Sequence, residues 1–196
     1  MGLNKKNALA VVILAAGKGT RMGSDLPKVL HEVGGKPMVS HVIQRAVELG
    51  AERIISIIGY QHELVKETIA NEPTKFTLQL EQLGTGHAVL QCASQLSKFD
   101  GSILVLSGDV PLISFDTLQN LLITHDTCGT KATLLSAIVE DATGYGRVIR
   151  NTQGNLDQIV EHKDANESQL CVNEMNAGIY VFDCKTLFEL LPQVGN

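Results

Sequence analysis

A glycine-rich loop that carries cationic side chains is the segment of this chain best suited to chemistry. The loop follows an apolar run at residues 9–14, and Lys18, Arg21 and Lys28 lie within it or just after it. Small residues let backbone N–H groups approach an anion closely, and the cations supply countercharge. An unbroken apolar run is typical of a buried parallel strand, and open α/β sheets bind ligands at the carboxyl ends of such strands. The segment therefore predicts a triphosphate-binding loop.

Two better-known phosphate motifs do not fit this loop. A P-loop needs Gly-x-x-x-x-Gly-Lys-Ser/Thr, but Val12 stands where the first glycine belongs and Gly19 follows Lys18. A dinucleotide fingerprint needs Gly-x-Gly-x-x-Gly, and Met22 occupies its third glycine position. A plain tight turn from strand to helix stays open as the alternative, which glycines alone would favour and the cations disfavour.

A second candidate group is the carboxylate of Asp109. It follows another apolar run at residues 102–107, so it should emerge at the same sheet edge as Gly17. A hard carboxylate beside phosphates and water suits Mg²⁺. From the residues alone, a turn-forming Asp before Pro111 is an equally good interpretation.

The rest of the chain alternates strand and helix patterns. Strands are predicted at residues 53–58, 76–80, 102–107, 132–138 and 176–182, and helices at 37–49, 62–70, 86–96, 116–125 and after Asp183. This alternation predicts a largely parallel sheet covered by helices. Residues 147–150 and 156–161 surround a turn and instead predict a hairpin.

Composition limits the classes of function. The 196 residues suffice for one α/β domain, and 44% hydrophobic with 19% charged residues is typical of globular proteins. The net charge of -5 disfavours nonspecific nucleic-acid binding. No apolar run approaches the roughly 20 residues of a membrane span, and no signal-peptide pattern is found.

The cysteines and histidines show no metal-binding pattern. The four cysteines are scattered without a Cys-x-x-Cys pair, and the six histidines form no His-Glu-x-x-His site. Reduced thiols in a cytoplasmic protein are the simplest interpretation.

Several segments, taken together, resemble one family. The loop and the Pro27–Lys28 pair resemble the signature of sugar-nucleotide pyrophosphorylases, in the nucleoside-diphospho-sugar transferase superfamily. Matching segments follow at residues 81–87 (EQLGTGH), 108–112 (GDVPL), 143–148 (TGYGRV), 160–165 (VEHKDA) and 176–178 (NAG). In order and spacing they resemble the uridyltransferase domain of the bacterial bifunctional N-acetylglucosamine-1-phosphate uridyltransferase/glucosamine-1-phosphate acetyltransferases. The resemblance runs from about Ala8 to the C-terminus.

The resemblance implies a fold and an activity. The expected fold is a Rossmann-like three-layer α/β/α arrangement around a predominantly parallel mixed sheet, with residues 1–112 as a nucleotide-binding half and 113–196 as a sugar-binding half. The expected reaction joins UTP and N-acetylglucosamine 1-phosphate into UDP-N-acetylglucosamine and pyrophosphate, a step in cell-wall precursor synthesis. The expected cofactor is Mg²⁺ and the expected location is the cytoplasm, with neither nucleic acid nor membrane as a partner.

The resemblance also implies roles for individual residues. Arg21 and Lys28 match catalytic positions that stabilise the triphosphate and neutralise the α-phosphate, and Asp109 matches a metal ligand. The positions that match substrate-binding residues are Leu14, Ala15, Ala16, Gly17, Lys28, Gln79, Gly84, Thr85, Ser107, Gly108, Asp109, Gly146, Glu161 and Asn176.

Two groups among these matched positions correspond to the base and to the sugar. Gln79, Gly84 and Thr85 match positions around the uracil base. Gly146, Glu161 and Asn176 match the acetamido-sugar pocket, although residues 161–164 alone would suggest a charged surface turn.

Two features depart from the family pattern. Ser107 stands where relatives often carry an aromatic residue, so backbone contact to the nucleotide survives while ring packing does not. Family members also continue past residue 196 to a further Asn that completes the metal site and to a trimeric β-helix acetyltransferase domain. We therefore expect a monomer of low activity from these 196 residues.

Other interpretations stay open. The nearest is a related nucleotidyltransferase with another base or sugar, which the first loop cannot exclude. The other is a noncatalytic nucleotide-binding domain.

Overall fold

A computed structural model describes residues 8–19 and 23–194. The chain divides into two compact units. The larger unit comprises Met1–Thr133 and Val181–Asn196, and the smaller unit comprises Leu134–Tyr180. This division does not coincide with the boundary near residue 112 that the sequence suggested, so the division into a nucleotide half and a sugar half stays a prediction about function.

The strands and helices follow one another in a largely alternating order. The strands are β1 (Ala8–Ala15), β2 (Glu32–Val33), β3 (Lys36–Pro37), β4 (Arg53–Ile58), β5 (Lys75–Leu78), β6 (Gly101–Ser107), β7 (Ala132–Ile138), β8 (Arg147–Arg150), β9 (Leu156–Val160) and β10 (Glu174–Asp183). The α-helices are α1 (Met38–Glu48), α2 (His62–Thr68), α3 (Thr85–Leu90), α4 (Ala93–Leu96), α5 (Phe115–Cys128), α6 (Glu167–Leu170) and α7 (Cys184–Leu190). Short 3₁₀ helices lie at Lys28–Leu30, His162–Asp164 and Leu191–Gln193.

Parallel strands form the sheet of the larger unit. The order is β5-β4-β1-β6, with β1 paired in parallel to both β4 and β6 and with β4 paired in parallel to β5. Leu14 lies opposite both Ile57 and Ser107. Because of this register, the loops that follow β1, β4 and β6 all leave the sheet at one edge.

Buried apolar side chains on these strands explain why the parallel sheet forms. The interiors of β1, β4 and β6 are almost continuously buried, as expected for strands covered on both faces. Helix α1 buries Val39, Val42, Ile43 and Ala46 at helical spacing, as the sequence predicted. A cluster of buried residues on the sheet, α3, α4 and α7 comprises Ala10, Val12, Ala16, Ile55, Ile57, Ala88, Val89, Cys92, Leu96, Phe99, Ile103, Val105, Cys184 and Leu187. The expected sheet with flanking helices is therefore confirmed.

The helix predicted at residues 86–96 is interrupted. The structure has two short helices, α3 and α4, separated by Gln91 and Cys92. At this point the backbone N–H groups of Gln91 and Cys92 donate to the carbonyls three residues earlier, at 3.1 and 2.9 Å. Bonds of this spacing tighten the turn, and the tighter turn ends α3 before α4 begins.

Antiparallel pairing characterises the smaller unit. Strands β8 and β9 form the predicted hairpin, with Val148 opposite Ile159, and β10 pairs with β8 in antiparallel orientation. The hairpin turn is held by the Asn151 side chain, whose Oδ1 accepts from the backbone N–H groups of Gln153 and Asn155 at 3.0 Å each. Only Ala142, Val148 and Ile179 of this unit belong to the buried apolar core, so its strands are far less enclosed.

Side chains cap the N-terminal ends of two helices, α5 and α7. The Asp183 carboxylate caps α7 by accepting from the backbone N–H of Thr186 at 2.9 Å. Ser114 caps α5 in the same way. Within the described residues, no helix has both the length and the apolar character needed to cross a membrane.

Candidate functional site

A cavity of about 380 Å³ lies at the carboxyl edge of the parallel sheet in the larger unit. Its walls are Leu14, Ala16, Gly17, Gly19, Lys28, Val29, Gln79, Gln82, Gly84, Thr85, Ala88, Ser107 and Asp109. Most of the substrate-binding positions predicted in this unit are among them; Ala15 and Gly108 are flanking positions that are not. The structure therefore brings these positions to one place, at the edge where open α/β sheets bind ligands.

A larger cavity of about 530 Å³ lies at the opposite edge, where β1 and β6 begin. Its charged lining comprises four carboxylate residues, Glu52, Asp100, Asp126 and Asp183, and one lysine, Lys131, so the wall carries more negative than positive charge. A wall with this charge disfavours a phosphate, and the amino edge is not where sheets of this kind bind ligands. The smaller cavity is therefore the candidate site.

Gly108 allows Asp109, which follows β6, to lie beside the end of β1. Its backbone N–H donates to the Leu14 carbonyl at 2.9 Å. A Cβ atom on Gly108 would lie 3.0 Å from that carbonyl oxygen and 3.1 Å from Cγ1 of Val29. Because a side chain there would crowd the Leu14 carbonyl and Val29, glycine allows Asp109 to follow directly at the mouth of the cavity.

Gly19 brings the two ends of the cationic loop together. Its φ of +65° lies in the left-handed region, and a Cβ atom there would lie only 2.5 Å from Cβ of Lys28. The glycine therefore allows Lys28 to pack against the start of the loop. Arg21, the other predicted catalytic cation, lies outside the described residues.

Lys28 and Asp109 form an ion pair at the cavity. Lys28 Nζ lies 2.5 Å from Asp109 Oδ2, with 41% and 27% of the two side chains exposed. A pair this exposed contributes only about 0–1 kcal/mol to stability, so it opens readily for a ligand. Each partner can then bind a group of opposite charge.

Lys18 has a different partner. Its Nζ lies 5.4 Å from the centroid of the Tyr60 ring, a cation–π distance. The next residue, Gln61, has a left-handed φ of 47° and donates through Nε2 to the Asp25 carbonyl at 3.0 Å. Tyr60 and Gln61 therefore hold both flanks of the cationic loop.

The segment after β5 is tied to the end of β1. Gln82 Nε2 donates to the Ala16 carbonyl at 2.8 Å, and the Tyr60 backbone N–H donates to the same oxygen at 3.0 Å. At Gly59, a Cβ atom would lie 2.9 Å from both the Ala16 Cβ and the Gln79 carbonyl. Sequence analysis missed Gln82; its place within residues 81–87, beside Gly84, was the available clue.

Gln79 is buried in the wall of the cavity, with 4% of the residue exposed. Its side-chain Nε2 lies 3.2 Å from the Gly84 carbonyl and 3.1 Å from Nδ1 of His87. A side-chain amide fixed at one end leaves the other end for a ligand. The N-cap of α3 is Gly84, with φ +97°, and Thr85 is the first helical residue instead of the cap.

The smaller unit brings its own three predicted residues together. A Cβ atom on Gly146 would lie 3.4 Å from Oε1 of Glu161 and 3.6 Å from Cβ of Asn176. The Asn176 backbone N–H donates to the Gly146 carbonyl at 2.8 Å. The residues that match the acetamido-sugar pocket are therefore neighbours within this unit.

Hydrogen bonds fix the orientation of the Asn176 side chain. Its Nδ2 donates to the Tyr180 hydroxyl at 2.6 Å, and its Oδ1 accepts from the Gly178 backbone N–H at 3.1 Å. Burial raises the pKa of Tyr180, and the nearby Glu161 raises it further. The phenol therefore keeps its proton and can accept from Asn176 while donating elsewhere.

Arg147 was not predicted as a site residue. It is only 3% exposed, and its Nη1 donates to the carbonyls of Ala142 (2.5 Å) and Tyr145. Within the described part of the chain, its Nε is buried without a hydrogen-bond partner. Arg147 holds the turn that presents Gly146, and the available clue was a charged residue inside a motif that continues into a strand.

The comparisons with known proteins agree with this architecture. The family model for nucleotidyl transferases matches residues 10–194. The bifunctional protein GlmU of Bacillus cereus is 51% identical over 185 residues, which are 94% of this chain and 40% of that protein. The chain thus spans about two fifths of the length of the curated relatives it matches.

Solved structures show the same fold. UDP-glucose pyrophosphorylase complexed with UDP-glucose superposes with a TM-score of 0.73 at 19% identity, covering 95% of this chain and 80% of that one. HddC from Yersinia pseudotuberculosis complexed with GMP-PN gives a TM-score of 0.69 at 21% identity, covering 92% and 79%. At these identities the likeness establishes the fold alone. The family match over nearly all of the chain shows that the chain belongs to the nucleotidyl transferase family.

Proposed function

We propose that this chain transfers a uridylyl group from UTP to N-acetylglucosamine 1-phosphate, giving UDP-N-acetylglucosamine and pyrophosphate. The observation that carries the proposal is the cavity at the carboxyl sheet edge, where the glycine loop, Lys28, Asp109 and the buried Gln79 amide meet. Its support from relatives is the 51% identity to GlmU, within a family of nucleotidyl transferases.

Lys28 has the central chemical role in this proposal. An oxygen of the sugar phosphate attacks the α-phosphorus of UTP in line, and pyrophosphate leaves from the opposite side. Negative charge increases on the α-phosphate as the bonds exchange. In the proposal, the Lys28 ammonium offsets this charge once its pair with Asp109 opens, and Arg21 stabilises the triphosphate.

Asp109 would hold a divalent cation, which we propose to be Mg²⁺. Within the described residues, no group of three or more His, Cys, Asp or Glu side chains is arranged to bind a metal. A single carboxylate at a phosphate-binding cavity still fits, because Mg²⁺ is commonly held by one or two carboxylates together with phosphates and water. Bound there, the cation would supply charge neutralisation on the phosphate oxygens.

The remaining predicted residues supply recognition. We propose that Gln79, Gly84 and Thr85 contact the base, with backbone groups of residues 14–17 and 107–108 along the nucleotide. We propose that Gly146, Glu161 and Asn176 contact the acetamido sugar. Polar groups near a sugar hydroxyl discriminate well among sugars because a wrong ligand leaves them unpaired.

The proposed reaction belongs in the cytoplasm. Cys92 and Cys184 are buried free thiols, and Cys128 and Cys171 are exposed free thiols. Free thiols are typical of reducing compartments. A net charge of -5 fits a small anionic ligand bound at a local cationic loop better than it fits nucleic acid.

Nucleotide titration and product assays test the proposal. Calorimetry with UTP, CTP, GTP and dTTP should rank UTP first, and pyrophosphate release should require N-acetylglucosamine 1-phosphate instead of glucose 1-phosphate. Lys28→Ala should suppress pyrophosphate release. The control is Lys98→Ala, which changes an exposed lysine before β6 and should leave the release unchanged. Equal affinity for all four nucleotides, or a preference for guanine, would reassign the chain to another nucleotidyl transferase.

A further inference from the structure

The orientation of the Gln79 amide is decided by its two neighbours. The Gly84 carbonyl lies 3.2 Å from one end of the amide and can only accept a hydrogen bond. That end must therefore be the nitrogen. Since Gln79 is almost fully buried, no bulk water is available to satisfy the opposite orientation, with the amide oxygen facing a carbonyl oxygen.

The same nitrogen determines the state of the His87 ring. Nδ1 of His87 lies 3.1 Å from Gln79 Nε2. Because Nε2 is a donor, Nδ1 must accept, and a neutral imidazole then carries its proton on its own Nε2. Gln79 and His87 thus form a donor–acceptor pair with one consistent arrangement.

Gln91 does not compete for this arrangement. Its Nε2 lies 3.1 Å from Nε2 of His87, but it also donates to the His87 carbonyl at 3.1 Å. If the ring proton is on the His87 Nε2, two donors face each other at the first of these contacts. Gln91 is only half-buried and can turn its amide, whereas Gln79 is almost fully buried and its nitrogen faces two acceptors, the Gly84 carbonyl and His87 Nδ1.

With its nitrogen fully engaged, Gln79 has only its oxygen left for a ligand. Gln79 lines the candidate cavity, and its Oε1 has no hydrogen-bond partner within residues 8–19 and 23–194. An amide oxygen accepts a hydrogen bond and cannot donate one. A uracil ring offers N3–H, a donor, whereas the cytosine ring has an unprotonated N3, which is an acceptor. Where the Gln79 oxygen faces ring position 3, the orientation therefore favours uracil, whose N3–H donates, over cytosine, whose N3 can only accept.

We propose that His87 is a positioning residue that fixes Gln79 with its oxygen toward the cavity, and so sets the selectivity for uracil over cytosine. The inference rests on the proposed function, since it assumes that the base lies at Gln79. Without an acceptor at His87 Nδ1, the amide is held by Gly84 alone. Turning the Gln79 nitrogen toward an unprotonated N3 then breaks one hydrogen bond fewer than it does in the wild type.

A matched pair of variants tests the inference. His87→Asn keeps an acceptor oxygen near the position of Nδ1, and His87→Leu has nearly the same size without an acceptor. We expect His87→Leu to lower the ratio of UTP affinity to CTP affinity about tenfold, the value of one hydrogen bond of about 1.4 kcal/mol. His87→Asn should keep the ratio within about twofold of the wild type, a change of about 0.4 kcal/mol. Gln91→Leu is the control and should leave the ratio unchanged.

A purely structural role for His87 gives a different result. His87 also borders an apolar groove with Leu90 and Leu191, so its loss can weaken packing around α3. Weakened packing lowers the affinity for UTP and CTP by the same factor and leaves their ratio unchanged. An unchanged ratio in His87→Leu, beside a wild type that prefers UTP, overturns the inference and leaves the proposed function intact.

The ring tautomer supplies a second measurement that needs no nucleotide. Nitrogen-15 NMR of the wild-type protein should show the neutral His87 ring protonated at Nε2 and bare at Nδ1. A proton on Nδ1 overturns the proposed orientation whatever the nucleotide data show. If the wild type fails to prefer UTP, the proposed function fails, and the tautomer alone then decides whether His87 orients Gln79.

Discussion

The two compact units position their candidate site residues by different means. In the larger unit the site lies at the ends of β1 and β6, whose interiors are buried on both faces. In the smaller unit the three residues that match the sugar pocket lie on or beside less enclosed strands: β10 is mostly half-buried, and β9 is exposed along most of its length. Burial therefore fixes the first site through the backbone, and the second site depends more on the hydrogen bonds of the Asn176 side chain.

The glycines and the amides illustrate this contrast. Gly19, Gly59 and Gly108 each allow a backbone approach in the larger unit that a Cβ atom would block. In the smaller unit, Asn176 is oriented by Tyr180 and Gly178. A site of the first kind changes when backbone packing changes, whereas a site of the second kind can lose selectivity while the fold stays intact.

The largest expected difference between the units is in stability. Ile55 is 1% exposed in the middle of β4, and we expect Ile55→Ala to lower the free energy of unfolding by about 3 kcal/mol. The matched change Ile149→Ala, at a half-buried position in the middle of β8, should cost about 1 kcal/mol because less apolar area leaves contact. Urea denaturation measures both, and equal losses would contradict the contrast.

The next effect is on catalysis in the larger unit. Lys28→Ala should lower kcat about a hundredfold, because a charge that stabilises the transition state is lost. Arg21→Ala should also lower kcat, by well over tenfold. Steady-state assays of pyrophosphate release measure this, with Lys98→Ala as the control. A change confined to KM would contradict the assignment of Lys28 to the transition state.

A smaller and more selective effect is expected in the smaller unit. Asn176→Ala should raise KM for the sugar phosphate about tenfold and leave UTP affinity unchanged, because one polar contact is lost. Tyr180→Phe removes the hydroxyl that accepts from Asn176 and should raise the same KM about threefold. Calorimetry and steady-state kinetics distinguish the two substrates. Parallel loss of UTP binding would show that the two sites are not independent.

The smallest effect concerns acid stability, where the units differ in pH window. In the larger unit, burial lowers the pKa of His125 from 6.5, against the opposing charges of Asp126 and Asp183 and with a smaller contribution from Lys131. In the smaller unit, hydrogen bonds from Arg150 lower the pKa of Glu174 from 4.5. Both groups bind a proton less tightly when folded, so both contribute stability that is lost as the pH falls.

The loss should begin below pH 6.5 for His125 and only below pH 4.5 for Glu174. Urea denaturation across this range measures it. In a plot of unfolding free energy against pH, His125→Gln should flatten the part near pH 6.5, and Glu174→Gln should flatten the part near pH 4.5. Two variants with the same profile as the wild type would show that neither group contributes.

Much of the fold could be predicted from the sequence because burial leaves a clear pattern. The apolar runs that became β1 and β6, and the helical spacing in α1, were recognisable without any structure. The break between α3 and α4 could not be recognised from the sequence. It depends on hydrogen bonds from Gln91 and Cys92 to carbonyls three residues earlier, and no residue type at these positions predicts them.

The candidate site was predictable to a lesser degree. Residue types and family resemblance pointed to Lys28, Asp109 and Gln79, and the structure brings all three to one cavity. The roles of Gln82 and Arg147 were not predicted, because the sequence does not show which carbonyl a long polar side chain will bond, whether that carbonyl is distant, as Ala16 is from Gln82, or near, as Ala142 is from Arg147. The chemical roles of these residues stay predictions.

The ion pair between Lys28 and Asp109 has a thermodynamic consequence. A phosphate that binds the ammonium must displace the carboxylate, and a divalent cation that binds the carboxylate must displace the ammonium. Whichever ligand arrives first removes this competition for the other, so each raises the affinity of the other by the same factor, as linkage requires. Since the pair is partly exposed, the factor should not exceed about fivefold, or about 1 kcal/mol of coupling. An internal counterion thus makes nucleotide and metal binding cooperative without any change in the fold.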